Sequence, residues 1–107
     1  MLTVTLKMTM IIVKMTLDSA FEILYAPIVR QHLSAIEREY FSLIREAMEE
    51  HLNYEPDRDT RNRRPLKRPA QNGAQQELRC GPNNRFRIFY LADRERREVI
   101  ILAIGEK

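Results

Sequence analysis

The sequence predicts an α+β fold, with two N-terminal helices packed on a mainly antiparallel sheet, a C-terminal three-stranded meander and an extra N-terminal strand. Three observations carry this expectation. Apolar residues recur at three- and four-residue intervals between Ile28 and Leu52, the period of a helix with one buried face. Three short strand-like runs, parted by turn signals, crowd into the segment from Gln76 to Ile104. From Leu2 to Met10 apolar and polar side chains alternate with period two. A chain of 107 residues, 44% hydrophobic and 31% charged, has room for one modest core, so two independently folding halves are not expected.

The stretch from Leu2 to Met10 reads as a half-buried strand. Lys7 and Lys14 break the apolar start, which argues against a signal peptide, and no run approaches the length of a membrane span. This stretch stands as an N-terminal extension ahead of the helical region. The extension's strand is expected to be ordered, as an added sheet strand or as an edge-pairing device in a homodimer; a start codon placed too early is the remaining reading. A second short strand, Phe21 to Tyr25, ends at Pro27, which suits the first turn of a helix. Ile28, Val29, His32, Leu33 and Ile36 then share a helical face.

Ser34 and Glu37 have capping-box spacing and mark the start of a second helix. Its apolar stripe is Tyr40, Phe41, Ile44, Ala47, Met48 and Leu52, with Glu39, Arg45, Glu46, Glu49 and Glu50 mostly opposite. Pro56 ends the helix, and the stretch to Gln75, with Pro65, Pro69 and Gly73, reads as a long, basic, mobile loop. Gln76 to Cys80 leads through the turn Gly81-Pro82-Asn83-Asn84 into Phe86 to Ala92. A charged tip, Asp93 to Arg97, precedes Val99 to Ile104, whose unbroken apolar run predicts a central strand covered on both faces.

Several chemistries find no support. The lone Cys80 cannot form an internal disulfide or a thiolate metal site, and a reducing cytosol is the default compartment. His32 and His51 sit in predicted helices without partners at ligand spacing, and three glycines provide no phosphate-cradling loop. Arginines remain. Acidic residues dominate from Glu37 to Asp59, and the sign then reverses at Arg61, Arg63, Arg64, Lys67 and Arg68, followed by Arg79, Arg85 and Arg87. A patch of this kind attracts polyanions or an acidic protein surface. Arg79 and Arg87 alternate with apolar neighbours, so both should project from rigid strands in a way that suits bidentate grip on phosphate. The competing reading is a solvated face whose arginines pair with Glu77, Glu95 and Glu98. Tyr90 falls on the side of Phe86 and Ile88, to pack in the core or to offer its hydroxyl at a rim.

Taken in order, Glu77-Leu78-Arg79-Cys80-Gly81, Arg85-Phe86-Arg87-Ile88-Phe89-Tyr90 and Val99-Ile100-Ile101-Leu102-Ala103-Ile104-Gly105-Glu106-Lys107 resemble the RelE/ParE family of type II toxin–antitoxin toxins. The upstream His51-Leu52-Asn53-Tyr54-Glu55-Pro56, with the basic loop to Pro65-Leu66, resembles that family's helix end and linker. The resemblance runs from Phe21 to Lys107, which implies a RelE-like fold for residues 21–107 and leaves residues 1–20 as an N-terminal extension outside it. It further implies translation inhibition by endoribonuclease cleavage of messenger RNA on the ribosome, by attack of a 2′-hydroxyl without metal or other cofactor. Arg79, Arg87, Tyr90 and Lys107 match the family's catalytic positions, and Arg61, Arg63, Arg64, Lys67, Arg68 and Arg85 form the implied nucleic-acid-binding set. The implied partners are a cognate antitoxin and the ribosome with its message, with no membrane. The family's other activity, inhibition of DNA gyrase, is one alternative, and a module that only binds antitoxin or nucleic acid is another. Two departures stand out: Gln75 and Glu77 occupy positions where cleaving members carry lysines, and those members continue beyond the last strand into a basic segment where this chain has Lys107.

Overall fold

A computed structural model describes residues 20–68, 70 and 72–107, and the expected strand from Leu2 to Met10 lies outside them. Five strands and two helices follow in order: β1 Glu22–Tyr25, α1 Val29–Ser34, α2 Phe41–Leu52, β2 Arg63–Pro65, β3 Gln76–Cys80, β4 Phe86–Asp93 and β5 Glu98–Glu106. Short 3₁₀ turns at Arg38–Tyr40 and Pro82–Asn84 precede α2 and β4. The strands form one sheet in the order β1-β5-β4-β3-β2. β1 runs parallel to β5, and every other pairing is antiparallel. This is the predicted α+β class with its C-terminal meander. No helix among the described residues is long and apolar enough to cross a membrane.

The helices cover one face of the sheet. α2 buries Ile44, Met48 and Leu52, one per turn, while α1 buries Val29, and Ile36 follows into the same core. The helix starts differ from the sequence expectation. α1 begins at Val29, with Pro27 in the preceding turn, and Ile28 stands 44% exposed instead of joining the shared face. The chain does break between the helices, but no capping box forms there. Ser34 is the last residue of α1, and its hydroxyl donates to the Gln31 carbonyl at 2.7 Å, the local back-bond that serine favours over a distant amide. His32 ties α1 to the sheet, its Nδ1 accepting the backbone N–H of Ile104 at 3.2 Å.

The core face of the meander is built from Leu78 and Cys80 on β3, Phe86, Ile88 and Tyr90 on β4, and Val99, Ile101 and Ile104 on β5. Burial pushes the Cys80 thiol up to about 11, consistent with an inert core residue. β5 is an interior strand, as expected, but Ile100, Leu102 and Ala103 are only half-buried, so the apolar run does not record coverage of both faces. A bulge accounts for part of it. Phe89 lies opposite Ala103 while Tyr90 lies opposite Ile101, so β5 carries one extra residue at Leu102. That residue shifts the phase of the pleat, and Ile101 and Ile104 both enter the core although three positions apart.

The segment expected to be an irregular loop contains β2. Residues Arg63–Pro65 pair with β3 at the sheet edge, where Pro65 is tolerated because no further strand needs its missing N–H. Farther along, the β4–β5 tip is pinned to the segment after α2. Arg94 donates from Nε and Nη2 to the two carboxylate oxygens of Asp57, both at 2.7 Å. This hydrogen bond holds the Asp57 carboxyl below its ordinary value. A depressed carboxyl stabilises the fold above its unfolded-state value and loses that contribution as the pH falls through the folded one. Asp57→Asn is therefore expected to lower the urea midpoint modestly at pH 7, as a largely exposed pair should. The difference from the parent should close under acid, and an undiminished gap there would count against it.

Candidate functional site

The turn between β3 and β4 sets the geometry of the arginine face. Gly81 has φ +84°, and a Cβ there would meet the Phe86 ring at 2.7 Å, so neither the backbone nor the packing accepts another residue without movement. Asn83 and Asn84 follow in the left-handed region, at φ 55° and 53°, which asparagine tolerates better than most. The chain reverses with Cys80 opposite Phe86, Arg79 opposite Arg87 and Leu78 opposite Ile88. Leu78, Ile88 and their core neighbours face the helices, so by strand alternation Arg79 and Arg87 stand side by side on the sheet face away from them.

Like charges directly opposite each other weaken a sheet, so this pair needs a counter-ion. Glu77 provides it. Two residues before Arg79 on the same strand face, its side chain is only 7% exposed. One carboxylate oxygen lies 3.5 Å from Arg79 Nε and the other 3.7 Å from Arg87 Nε. These are ion-pair separations, too long for good hydrogen bonds, and both Nε atoms are buried without a hydrogen-bond acceptor among the described residues. The arginine side chains as wholes keep 29% and 37% exposure. With Nε turned inward, the terminal nitrogens are the donors left for a ligand. β2 adds a third cation, because Arg64 pairs with Glu77 across the β2–β3 ladder and projects to the same face.

The remaining residues singled out in the sequence are distributed differently. Arg63, next to Arg64, pairs with Leu78 and so turns toward the core, where it is 7% exposed. Its Nη1 donates to the carbonyls of His51 and Glu55, and its Nε to Thr60 Oγ1. The guanidinium thus satisfies one carbonyl in the last turn of α2 and ties it to the segment that follows, and that accounts for its burial without any nucleic acid. Tyr90 packs in the core at 0% exposure, its hydroxyl donating to the Pro56 carbonyl, and burial raises its pKa. Of the two placements open to it in the sequence, the core is the one observed. It does not reach the arginine face.

Arg85 is also engaged within the fold. It bonds Glu106 from Nε at 2.6 Å, lies 3.7 Å from Glu37, donates to the Tyr40 hydroxyl and stacks over the Tyr40 ring at 4.8 Å. Arg85 thus joins the end of β5 to the turn before α2. Lys107 is exposed, two residues beyond Gly105, the partner of Arg87, and its backbone N–H donates to the Arg85 carbonyl at 2.8 Å. It therefore stands at the Arg87 end of the sheet. Arg61, Lys67 and Arg68 are exposed and flank β2. Glu95 and Glu98, offered by sequence as counter-ions, make no ion pair with Arg79 or Arg87; Glu77 alone serves both among the described residues.

A separate apolar groove of about 400 Å³ runs between the end of β1, α1 and α2, floored by Val29, Leu33, Phe41, Ile44 and Met48. None of the sequence-predicted site residues lines it. The arginine face and this groove lie on opposite sides of the sheet.

No protein-family model matches the chain, and no curated protein matches it either. Among solved structures, the chain is similar to the RelBE2 toxin–antitoxin complex from Mycobacterium tuberculosis, with a TM-score of 0.65 and 22% sequence identity over 82% of this chain and 92% of that one. At that identity the likeness is one of fold, and the fold of this chain is the RelE-like α+β arrangement that its order of motifs predicts.

Proposed function

We propose that this chain is the toxin of a type II toxin–antitoxin pair, acting in the cytosol to stop translation by metal-independent cleavage of messenger RNA. The observation that carries this reading is the pair Arg79 and Arg87, directly opposed on adjacent strands, on the face the helices leave open, with their terminal nitrogens unengaged among the described residues. Cleavage by a neighbouring 2′-hydroxyl passes through a pentacovalent phosphorus with additional negative charge on its oxygens. The 2′-hydroxyl gives its proton to solvent as its oxygen bonds to phosphorus, the bond from phosphorus to the 5′-oxygen breaks, that oxygen takes a proton from solvent, and a 2′,3′-cyclic phosphate results. Guanidinium donors held in advance around that centre lower the barrier without needing a metal. Arg64 and Lys107, at two ends of the same surface, are the proposed further contacts to the message, with Arg61, Lys67 and Arg68 as a diffuse steering patch. An antitoxin is the proposed protein partner, supported by a fold neighbour that was solved as a toxin–antitoxin complex.

The test is incubation of the full chain with translating ribosomes, followed by mapping of message ends. New message ends that depend on the protein are expected. A second reading, a module that binds RNA or antitoxin without cutting, draws on the carboxylate of Glu77 between the arginines and on the burial of Tyr90. Intact message together with retained RNA binding would favour that reading over the first.

A further inference from the structure

We infer that Glu77 is a positioning residue, whose buried carboxylate grips the inner Nε edges of Arg79 and Arg87 and so aims their terminal nitrogens at a single phosphodiester on the open sheet face. The inference rests on the phosphate-gripping reading above and adds to it a role for a residue that would otherwise count against it. A carboxylate beside an anion site is unfavourable on Coulomb grounds alone. Its geometry argues for a compensating use. Glu77 is 5% exposed on a strand, not at a flexible rim, and it divides its two oxygens between the two arginines, 3.5 Å to one Nε and 3.7 Å to the other. A buried charge is kept only where its partners hold it, and here those partners would repel each other without it.

Each guanidinium offers a fixed fork of donors. A buried carboxylate beside each Nε draws the inner edge of the fork toward itself by charge, and the two forks belong to directly opposed residues of adjacent strands. The net charge of the trio is one positive unit, matched to one phosphodiester anion. Arg64, across the ladder from Glu77, provides a further positive charge where the transition state acquires a second negative one. The long Nε to carboxylate separations leave the arginines short of full hydrogen bonding. The phosphate engages the terminal nitrogens and leaves these inward Nε atoms to Glu77.

The two accounts of Glu77 differ in sign. If it were only a neutralising charge, Glu77→Gln would remove repulsion and tighten anion binding, by about tenfold at close range. As a positioning residue, its loss frees the guanidinium groups and weakens binding, by about tenfold on the scale of a lost charge-assisted hydrogen bond. The probe is a short, fully 2′-O-methylated RNA, which cannot be cut, titrated by fluorescence anisotropy against the full-length parent, Glu77→Gln, Glu77→Asp and Arg87→Ala. Alongside, the arginine Nε–H signals are followed by NMR for exchange with water, with far-ultraviolet circular dichroism confirming the fold of each variant.

The expected result is weaker binding by Glu77→Gln, partial recovery in Glu77→Asp, and faster exchange at the Nε–H of Arg79 and Arg87 without change elsewhere. A role in stability alone would leave the exchange of these two groups unchanged in the folded variant. Equal or tighter binding by Glu77→Gln overturns the positioning role while leaving the arginines as phosphate ligands. If Arg87→Ala binds as the parent does, the phosphate reading itself fails, and the role of Glu77 falls with it.

Discussion

Replacing Arg79 and Arg87 together by alanine is expected to reduce message cleavage by about a thousandfold or more. Removal of one preorganised donor from a site of developing negative charge typically costs on the order of a hundred- to a thousandfold, and residues acting as a unit do not add independently. The double variant carries a complication that the structure makes explicit. It leaves the carboxylate of Glu77, 7% exposed, without either of its partners, and an orphaned buried charge destabilises a fold strongly. Lost activity would then be confounded with lost protein. Adding Glu77→Gln removes the orphaned charge, so the triple variant should regain much of the urea midpoint while cleavage stays absent. Rates per folded molecule, with message ends mapped on ribosomes, are the measurement. Parental cleavage by the folded triple variant would remove these arginines from the chemistry altogether.

The strands and the turn of this site were legible in the sequence because the signals are local. Gln76 to Cys80 alternates around a polar face, and Gly81 with two asparagines specifies the reversal, so the opposition of Arg79 and Arg87 follows from short-range geometry. Glu77 as the counter-ion of Arg79 was equally readable, being two residues away on the same strand face. What local pattern does not contain is the identity of a strand's neighbour. β2 pairs with β3 across the segment between them, and three residues containing a proline carry little strand signal of their own. The whole basic stretch accordingly read as one exposed surface. The bulge at Leu102 is hidden for a related reason: every residue from Val99 to Ile104 is apolar, so the phase shift leaves no mark in the pattern. Tyr90 was ambiguous because a tyrosine on a core-facing position is resolved only by whether its hydroxyl finds an acceptor, and that acceptor is the carbonyl of Pro56.

Arg63 and Arg64 bring that non-local information to a sharp experimental contrast. They are adjacent, carry the same charge and lie in the same basic run, yet pairing with β3 sends Arg63 toward Leu78 and the core and Arg64 toward Glu77 and the open face. Arg63→Ala removes the donors serving the carbonyls of His51 and Glu55, leaving the former without this partner at the end of α2 and the latter with only the Arg58 N–H. The cost should be about 3 kcal/mol, taking roughly 1.5 kcal/mol for each bond from a charged donor. For a domain of this size that corresponds to a fall in Tm of about 15 °C. Arg64→Ala, exposed at an edge, should change stability by no more than about 0.5 kcal/mol. Its effect belongs instead to the ligand, as weaker RNA binding and a salt dependence shallower by about one counterion. Thermal unfolding and salt titration of the two single variants therefore separate the roles. Should Arg63→Ala melt with the parent, or Arg64→Ala melt far below it, the pairing of β2 with β3 and the division of this basic run into an inner clamp and an outer contact would both be wrong.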